Sequence, residues 1–179
     1  RHRAARNPVT GGTPRTRGVG AAILDDAASP TRVLAAQRAY PESLRGLWEF
    51  PGGKQEPGEG ARDALLRECR EELGVHLDLL SEVGPPEPHG WPLTGSAVMR
   101  VFTAVLRGPR DLRSADAPEP RHPVSPERVL QDRVRTGEDH LDVRWLPLDD
   151  PATVLALPWI PADLPIVAAL LETLRTEHA

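Results

Sequence analysis

Residues Trp48–Val75 read WEFPGGKQEPGEGARDALLRECREELGV, and their pattern sets what the rest of the chain must supply. The spacing predicts a helix from Gly58 to Gly74. Projected at 100° per residue, Leu65, Leu66, Cys69 and Leu73 form one apolar stripe, and Glu68, Glu71 and Glu72 cluster on the adjoining face. Gly74 provides the C-terminal stop. Ahead of the helix, Trp48 and Phe50 read as a short strand, ended by Pro51, Gly52 and Gly53, which permit unusual backbone angles.

Glutamates at i, i+3 and i+4 project toward one point, where like charges repel unless a cation sits among them. Ligation by oxygen alone favours Mg²⁺ or Mn²⁺, hard ions that keep waters and bridge to substrate phosphates. Most glutamate-rich helices are simply solvated faces. The preceding turn tips the balance here, because Gly52 and Gly53 expose backbone amides and carbonyls to a phosphate or a metal.

Working outward, Val19, Ala21 and Ile23, then Val33, Leu34 and Ala35, read as two antiparallel strands joined by a loop holding Asp25, Asp26, Ser29 and Pro30. His76–Val83 alternates weakly as a strand, a proline-rich loop spans Gly84–Pro92, and Ala97–Leu106 reads as a strand buried on both faces. Leu141, Val143, Trp145 and Leu146 form a last strand. Leu164, Val167, Leu170, Leu171 and Leu174 are the apolar set of a closing helix. Strands before and after one central helix, with a second helix at the end, predict an α/β fold: an α/β/α sandwich with a mixed β-sheet.

The 179 residues suffice for one core of ordinary size. A single domain is expected over 18–179, preceded by a flexible basic arm at 1–17 and interrupted by an insertion at about 107–137, a loop over the site or a disordered excursion with a short helical stretch at 126–134. A net charge of -4 argues against affinity for nucleic-acid polymers. A bound nucleotide is therefore small or metal-bridged. The single cysteine, Cys69, suits a reducing cytoplasm, and neither a secretory signal nor an ~18-residue apolar span is visible. The missing initiator Met suggests a trimmed start.

From Gly53 the chain resembles the Nudix box, G-x5-E-x7-R-E-U-x-E-E-x-G-U, through Gly53, Glu59, Arg67, Glu68, Cys69 at the usually aliphatic position, Glu71, Glu72, Gly74 and Val75. Flanking features extend the likeness from about Gly18 to Leu174, and WEFPGGK looks like the MutT-like branch, which hydrolyses nucleoside triphosphates. The resemblance implies that Glu68, Glu71 and Glu72 ligate the metal with the Gly53 carbonyl. Arg67 would hold a glutamate in place, and Glu59 would support the cluster. Metal-bound water would then cut the triphosphate to a nucleoside monophosphate and pyrophosphate. Glu138 and Asp139 are both candidates to complete the site or act as base. Arg38 falls where this branch places a phosphate-binding arginine, and Gly52 and Lys54 are further substrate-binding candidates.

Trp159–Leu170 resembles the loop and final helix that grip the base. The branch that sanitises 8-oxo-dGTP commonly has Asn at the position of Asp163. A carboxylate there, acceptor-only when ionised, suits the exocyclic amine of cytosine or the N1 and N2 hydrogens of guanine. As an alternative, Asp163 caps the last helix. Trp159 or Phe102 could stack on the base, or belong to the core. The resemblance thus implies a small-molecule nucleotide substrate, CTP- or dCTP-like ahead of normal or oxidised dGTP, no membrane, and a monomer or homodimer. The rivals are a hydrolase of another nucleoside diphosphate derivative or specialised metabolite, and a catalytically silent nucleotide sensor. The latter fits less well, since silent members tend to have lost box glutamates.

Overall fold

A computed structural model describes residues 15–107 and 138–178. The expectations for residues 1–14 and 108–137, including the short helix at 126–134, lie outside them. Eight strands follow in order: β1 (Arg17–Leu24), β2 (Arg32–Arg38), β3 (Trp48–Glu49), β4 (Gly52–Lys54), β5 (Leu77–Glu82), β6 (Trp91–Pro92), β7 (Val98–Leu106) and β8 (His140–Pro147). Helix α1 (Ala61–Leu73) lies between β4 and β5, and α2 (Pro151–Ala156) and α3 (Leu164–Glu177) close the chain. No described helix is long and apolar enough to cross a membrane.

The sheet is mixed. β1 pairs in parallel with β7 along its whole length, from Arg17↔Val98 to Leu24↔Val105, and β7 pairs antiparallel with β5. β2 pairs antiparallel with β8, from Arg32↔Pro147 to Arg38↔His140. β1 and β2 meet as predicted, but only at Leu24↔Val33. Beyond that point they diverge, and the WEFPGGK stretch fills the fork. Its Trp48–Glu49 half pairs with β2 and its Gly52–Lys54 half with β1. The turn that leads into α1 is thereby pinned from both sides.

Period-two alternation sends side chains to two apolar layers. Val19, Ala21, Ile23, Leu34, Phe102 and Ala104 pack under α1 against Leu65, Cys69 and Leu73. Ala22, Leu24, Val33, Ala35, Val101 and Leu146 pack on the opposite face with Trp48, Phe50, Trp159 and α3. Two covered faces make this an α/β/α sandwich, and explain why β7 reads as apolar on both sides.

Several boundaries and faces differ from expectation. α1 starts at Ala61 rather than Gly58, because Gly58 has φ of +78° and Gly60 is an extended N-cap. The buried face of α1 uses Ala64 and leaves Leu66 36% exposed; α3 likewise buries Ile166 and exposes Leu164. Short β4 and β6 carry no periodic signal and were not predicted. α2 was not predicted either, although its signal was present: Asp150 accepts the Thr153 amide at 3.2 Å ahead of Pro151, an N-cap followed by proline at the first helical position.

Candidate active site

Arg67 is the hub of the acidic helix. Its Nε and Nη2 donate to the two carboxylate oxygens of Glu59 at 2.8 and 2.9 Å, a bidentate pair. Nη1 reaches Glu68 at 2.9 Å and Glu71 at 3.3 Å, and Nη2 also donates to the Lys54 carbonyl at 3.1 Å. One guanidinium therefore ties the β4 backbone, the loop before the helix and two glutamates of α1 together. The hydrogen bonds from Arg67 pull the Glu59 carboxyl down to about 2. The Lys54 side chain is exposed, so the β4 backbone rather than the amine enters this network.

The remaining glutamate behaves differently. Glu72 is half-buried, and burial pushes its carboxyl up to about 8, reinforced by the charges of Glu68, Asp139 and Glu49. Negative charge is thus concentrated where no described cation except Arg38 lowers it. Gly53 lies directly against this cluster: a Cβ there would come within 2.3 Å of the Glu68 carboxyl carbon. All-oxygen donors, an acid that repulsion and burial hold protonated, and a glycine pressed on a glutamate fit a hard divalent cation. Among the described residues no three acidic or histidine side chains form a finished cage. The convergence expected from spacing alone is redirected, since Glu68 and Glu71 both turn to Arg67.

The two glycines of the turn separate fold from chemistry. A Cβ on Gly52 would fall 1.9 Å from the Val19 carbonyl oxygen, a backbone atom fixed in the β1–β4 ladder. Gly52→Ala is expected to cost on the order of 3 kcal/mol or more in urea unfolding, an overpacking effect. Gly53→Ala meets the end of a flexible side chain instead, so it should unfold near the wild-type midpoint yet lose most hydrolytic activity as Glu68 swings away.

Downstream, the two acids preceding β8 lie in different surroundings. Glu138 is exposed, whereas Asp139 is partly buried, accepts the Tyr40 hydroxyl and lies close enough to help raise Glu72. Arg38 directs Nη1 at both Glu49 oxygens, 3.4 Å each, and its Nε at the Tyr40 carbonyl at 3.0 Å. His140 Nε2 stands 3.2 Å from Glu49 Oε1. Glu49, His140 and Tyr40 were missed from sequence. The available signal was Glu49 itself, a lone carboxylate between Trp48 and Phe50 in a buried strand.

Glu49 faces two ways electrostatically, adding to Glu72 on one side and to Asp163 on the other. Asp163 is 4% exposed, and burial, then the charge of Glu49, pushes its carboxyl up to about 7. It makes no capping bond to α3; its Oδ2 accepts the Phe50 amide at 3.3 Å, linking the final loop to the WEF strand. Asp163 thus stands at the N-cap position of α3 while its side chain makes no capping bond there. Trp159 is also buried, donating from Nε1 to the Val154 carbonyl at 2.8 Å and packing on Phe50 with ring centroids 5.3 Å apart. Phe102 belongs to the other layer, under α1 with the Arg62 guanidinium 4.8 Å from its ring centre. That places it in the core, away from Asp163. A cavity of about 760 Å³, lined by Thr31, Leu148, Leu155 and Leu171 among others, opens at the opposite end of β2 and contains none of these groups.

An α/β/α sandwich whose glycine turn feeds an arginine-braced glutamate helix, with a buried acid one strand away, presents oxygen donors of the kind that hold a divalent ion against phosphates. Comparison with known proteins agrees. The NUDIX domain family matches residues 14–170. A Mycobacterium tuberculosis protein named "Putative 8-oxo-dGTP diphosphatase 2" is 34% identical over 147 residues, covering 82% of this chain and 84% of that protein. The CTP pyrophosphohydrolase of Escherichia coli K12 is 57% identical over 44 residues, 25% of this chain and 33% of that protein. The solution structure of the E. coli ORF135 protein superposes with a TM-score of 0.59 at 26% identity, covering 91% of this chain and 92% of that one. The chain belongs to the Nudix family and is a MutT-like pyrophosphohydrolase. Nudix hydrolases use divalent metal ions and act on small nucleotides.

Proposed function

We propose that the protein hydrolyses a nucleoside triphosphate to the monophosphate and pyrophosphate, with Glu49 and Asp163 reading the base and cytosine nucleotides preferred over guanine ones. The observation that carries this is Glu49 itself, whose charge bears on both the glutamate helix and the buried acid of the final loop. Triphosphate and base would therefore lie on either side of one short strand.

Glu68, Glu71, Glu72 and the Gly53 carbonyl would hold Mg²⁺ or Mn²⁺, which when bound neutralises phosphate charge and activates water. Arg67 fixes the orientation of Glu59, Glu68 and Glu71 before substrate arrives, a preorganisation that lowers the reorganisation needed at reaction. Asp139, held by Tyr40 beside Glu72, is the acid that completes this cluster. Water adds to one phosphorus of the α–β anhydride, the bond from that phosphorus to the bridging oxygen breaks, and the other phosphate group leaves with that oxygen, giving the monophosphate and pyrophosphate. Arg38, already turned inward to Glu49, faces the substrate from β2 and contributes positive charge there. Trp159 and Phe50 wall the base end.

Incubation with Mg²⁺ and a panel of ribo- and deoxynucleoside triphosphates, 8-oxo-dGTP, nucleotide sugars and dinucleotides tests the reading. Release of pyrophosphate and monophosphate, fastest from CTP or dCTP, is expected. Turnover confined to nucleotide sugars or dinucleotides would replace it with the diphosphate-derivative reading, and binding without turnover with that of a silent sensor.

A further inference from the structure

The β2–β8 ladder runs in step from Arg32↔Pro147 to Gln37↔Asp142, then shifts, so that Arg38 faces His140. Leu141 is the extra residue of a bulge and points outward, 43% exposed. Opposed residues of an antiparallel pair share a face, so without the bulge Leu141 would sit opposite Arg38 and His140 would turn to the other side. The bulge is what brings His140 and Arg38 together on Glu49.

His140 is an expensive residue for that position. Its side chain is 2% exposed, and Nδ1 is buried without a partner among the described residues. An unpaired buried nitrogen costs free energy that an apolar side chain would avoid. Among the described residues the one bond the ring makes is at Nε2, 3.2 Å from Glu49 Oε1. A carboxylate is acceptor-only, so Nε2 carries the hydrogen. Arg38 is the weaker support, longer at 3.4 Å, more exposed and shared with the Tyr40 carbonyl.

We propose that His140 is a positioning residue of the nucleobase subsite, holding the Glu49 carboxylate in the orientation in which it reads the base beside Asp163. The proposal rests on the reading of Glu49 given above. His140 touches no reacting atom; it acts through Glu49, and its loss frees that carboxylate to rotate toward Arg38.

The test compares His140→Phe, His140→Gln and Glu49→Gln with wild type, using kcat and KM for CTP and GTP. His140→Phe should lower the cytosine-to-guanine ratio of kcat/KM on the order of tenfold, mainly through KM, as expected for loss of a hydrogen bond to a charged group. Gln, whose amide nitrogen reaches as far as Nε2, should recover most of that ratio. In the Glu49→Gln background, His140→Phe should change the ratio no further. Equal losses on both nucleotides without rescue, or an unchanged ratio where Glu49→Gln alters it, overturns the positioning role. If Glu49→Gln leaves the CTP-to-GTP ratio intact and Asp163→Asn leaves the pH dependence of that ratio unchanged, the base-reading assignment fails and takes this proposal with it. Imidazole ¹⁵N spectra of the wild-type protein need no variant to fold. They should show hydrogen on Nε2, perturbed in Glu49→Gln, whereas a neutral ring protonated at Nδ1 refutes the contact.

Discussion

Glu72→Gln is expected to lower kcat about a thousandfold in Mg²⁺ while raising the melting temperature by a few degrees in EDTA. The two effects have one cause. Burial and the charges of Glu68, Asp139 and Glu49 disfavour the Glu72 carboxylate, which moves from its ordinary 4.5 to about 8. The folded state therefore holds that proton more tightly than the unfolded chain, and stability falls as pH rises from about 4.5 to 8. Gln carries no charge to bury, so its advantage is absent below pH 4.5 and full above 8. Catalysis should respond oppositely if Glu72 holds the metal as proposed, because a neutral amide in place of a carboxylate removes the negative charge that stabilises a bound cation. Thermal melts with and without Mg²⁺, beside initial rates, check both. A variant equally stable at every pH and still active would show that Glu72 is an ordinary surface acid. Stability given up for function in this way is common at sites that crowd like charge.

The acidic helix was legible because helical spacing and charge are both local properties of sequence. Glu68, Glu71 and Glu72 sit where projection puts them, and Gly74 ends the helix in the left-handed region at φ +66°. The role of Arg67 was only half visible. Its bidentate hold on Glu59 spans eight residues, and its bond to the Lys54 carbonyl depends on where β4 docks against β1. Glu49 and His140, separated by 91 positions, meet through a bulge that leaves no mark in composition. Phe102 and Trp159 looked equivalent as aromatics, and only the register of β7 for the first and the docking of the final loop on Trp48 for the second decide which layer each enters. Glu138 and Asp139 were likewise indistinguishable in sequence, and it is the turn before β8 that leaves Glu138 exposed and sets Asp139 against Tyr40. Local pattern thus placed the glutamate helix and its glycine turn, whereas pairing of distant strands decides what surrounds Glu49 and Asp163.

At that base end, Asp163→Asn should abolish a pH dependence of specificity that the wild type shows near neutrality. Asp163 is buried beside Glu49 and moves from 3.8 to about 7. Below that value it is a neutral acid, able to donate its hydroxyl to N3 of cytosine and accept from the 4-amino group. Above it, the carboxylate is acceptor-only, which opposes N3 and favours the N1 and N2 hydrogens of guanine. The ratio of kcat/KM for CTP over GTP should therefore fall about tenfold from pH 6 to 8, the scale of one well-formed base contact. Asn offers donor and acceptor at every pH, so the variant's ratio should stay level and exceed the wild type's at pH 8. Stability supplies an independent readout. A carboxyl whose folded value is raised loses stability as pH climbs from about 4 to 7, by up to ~4 kcal/mol for a move of this size. Asn still accepts the Phe50 amide, so Asp163→Asn should melt higher than wild type at pH 8 and match it at pH 4. Parallel pH–rate profiles in both proteins, with the same CTP-to-GTP ratio throughout, would remove Asp163 from the base subsite and leave it a buried link between the final loop and the WEF strand.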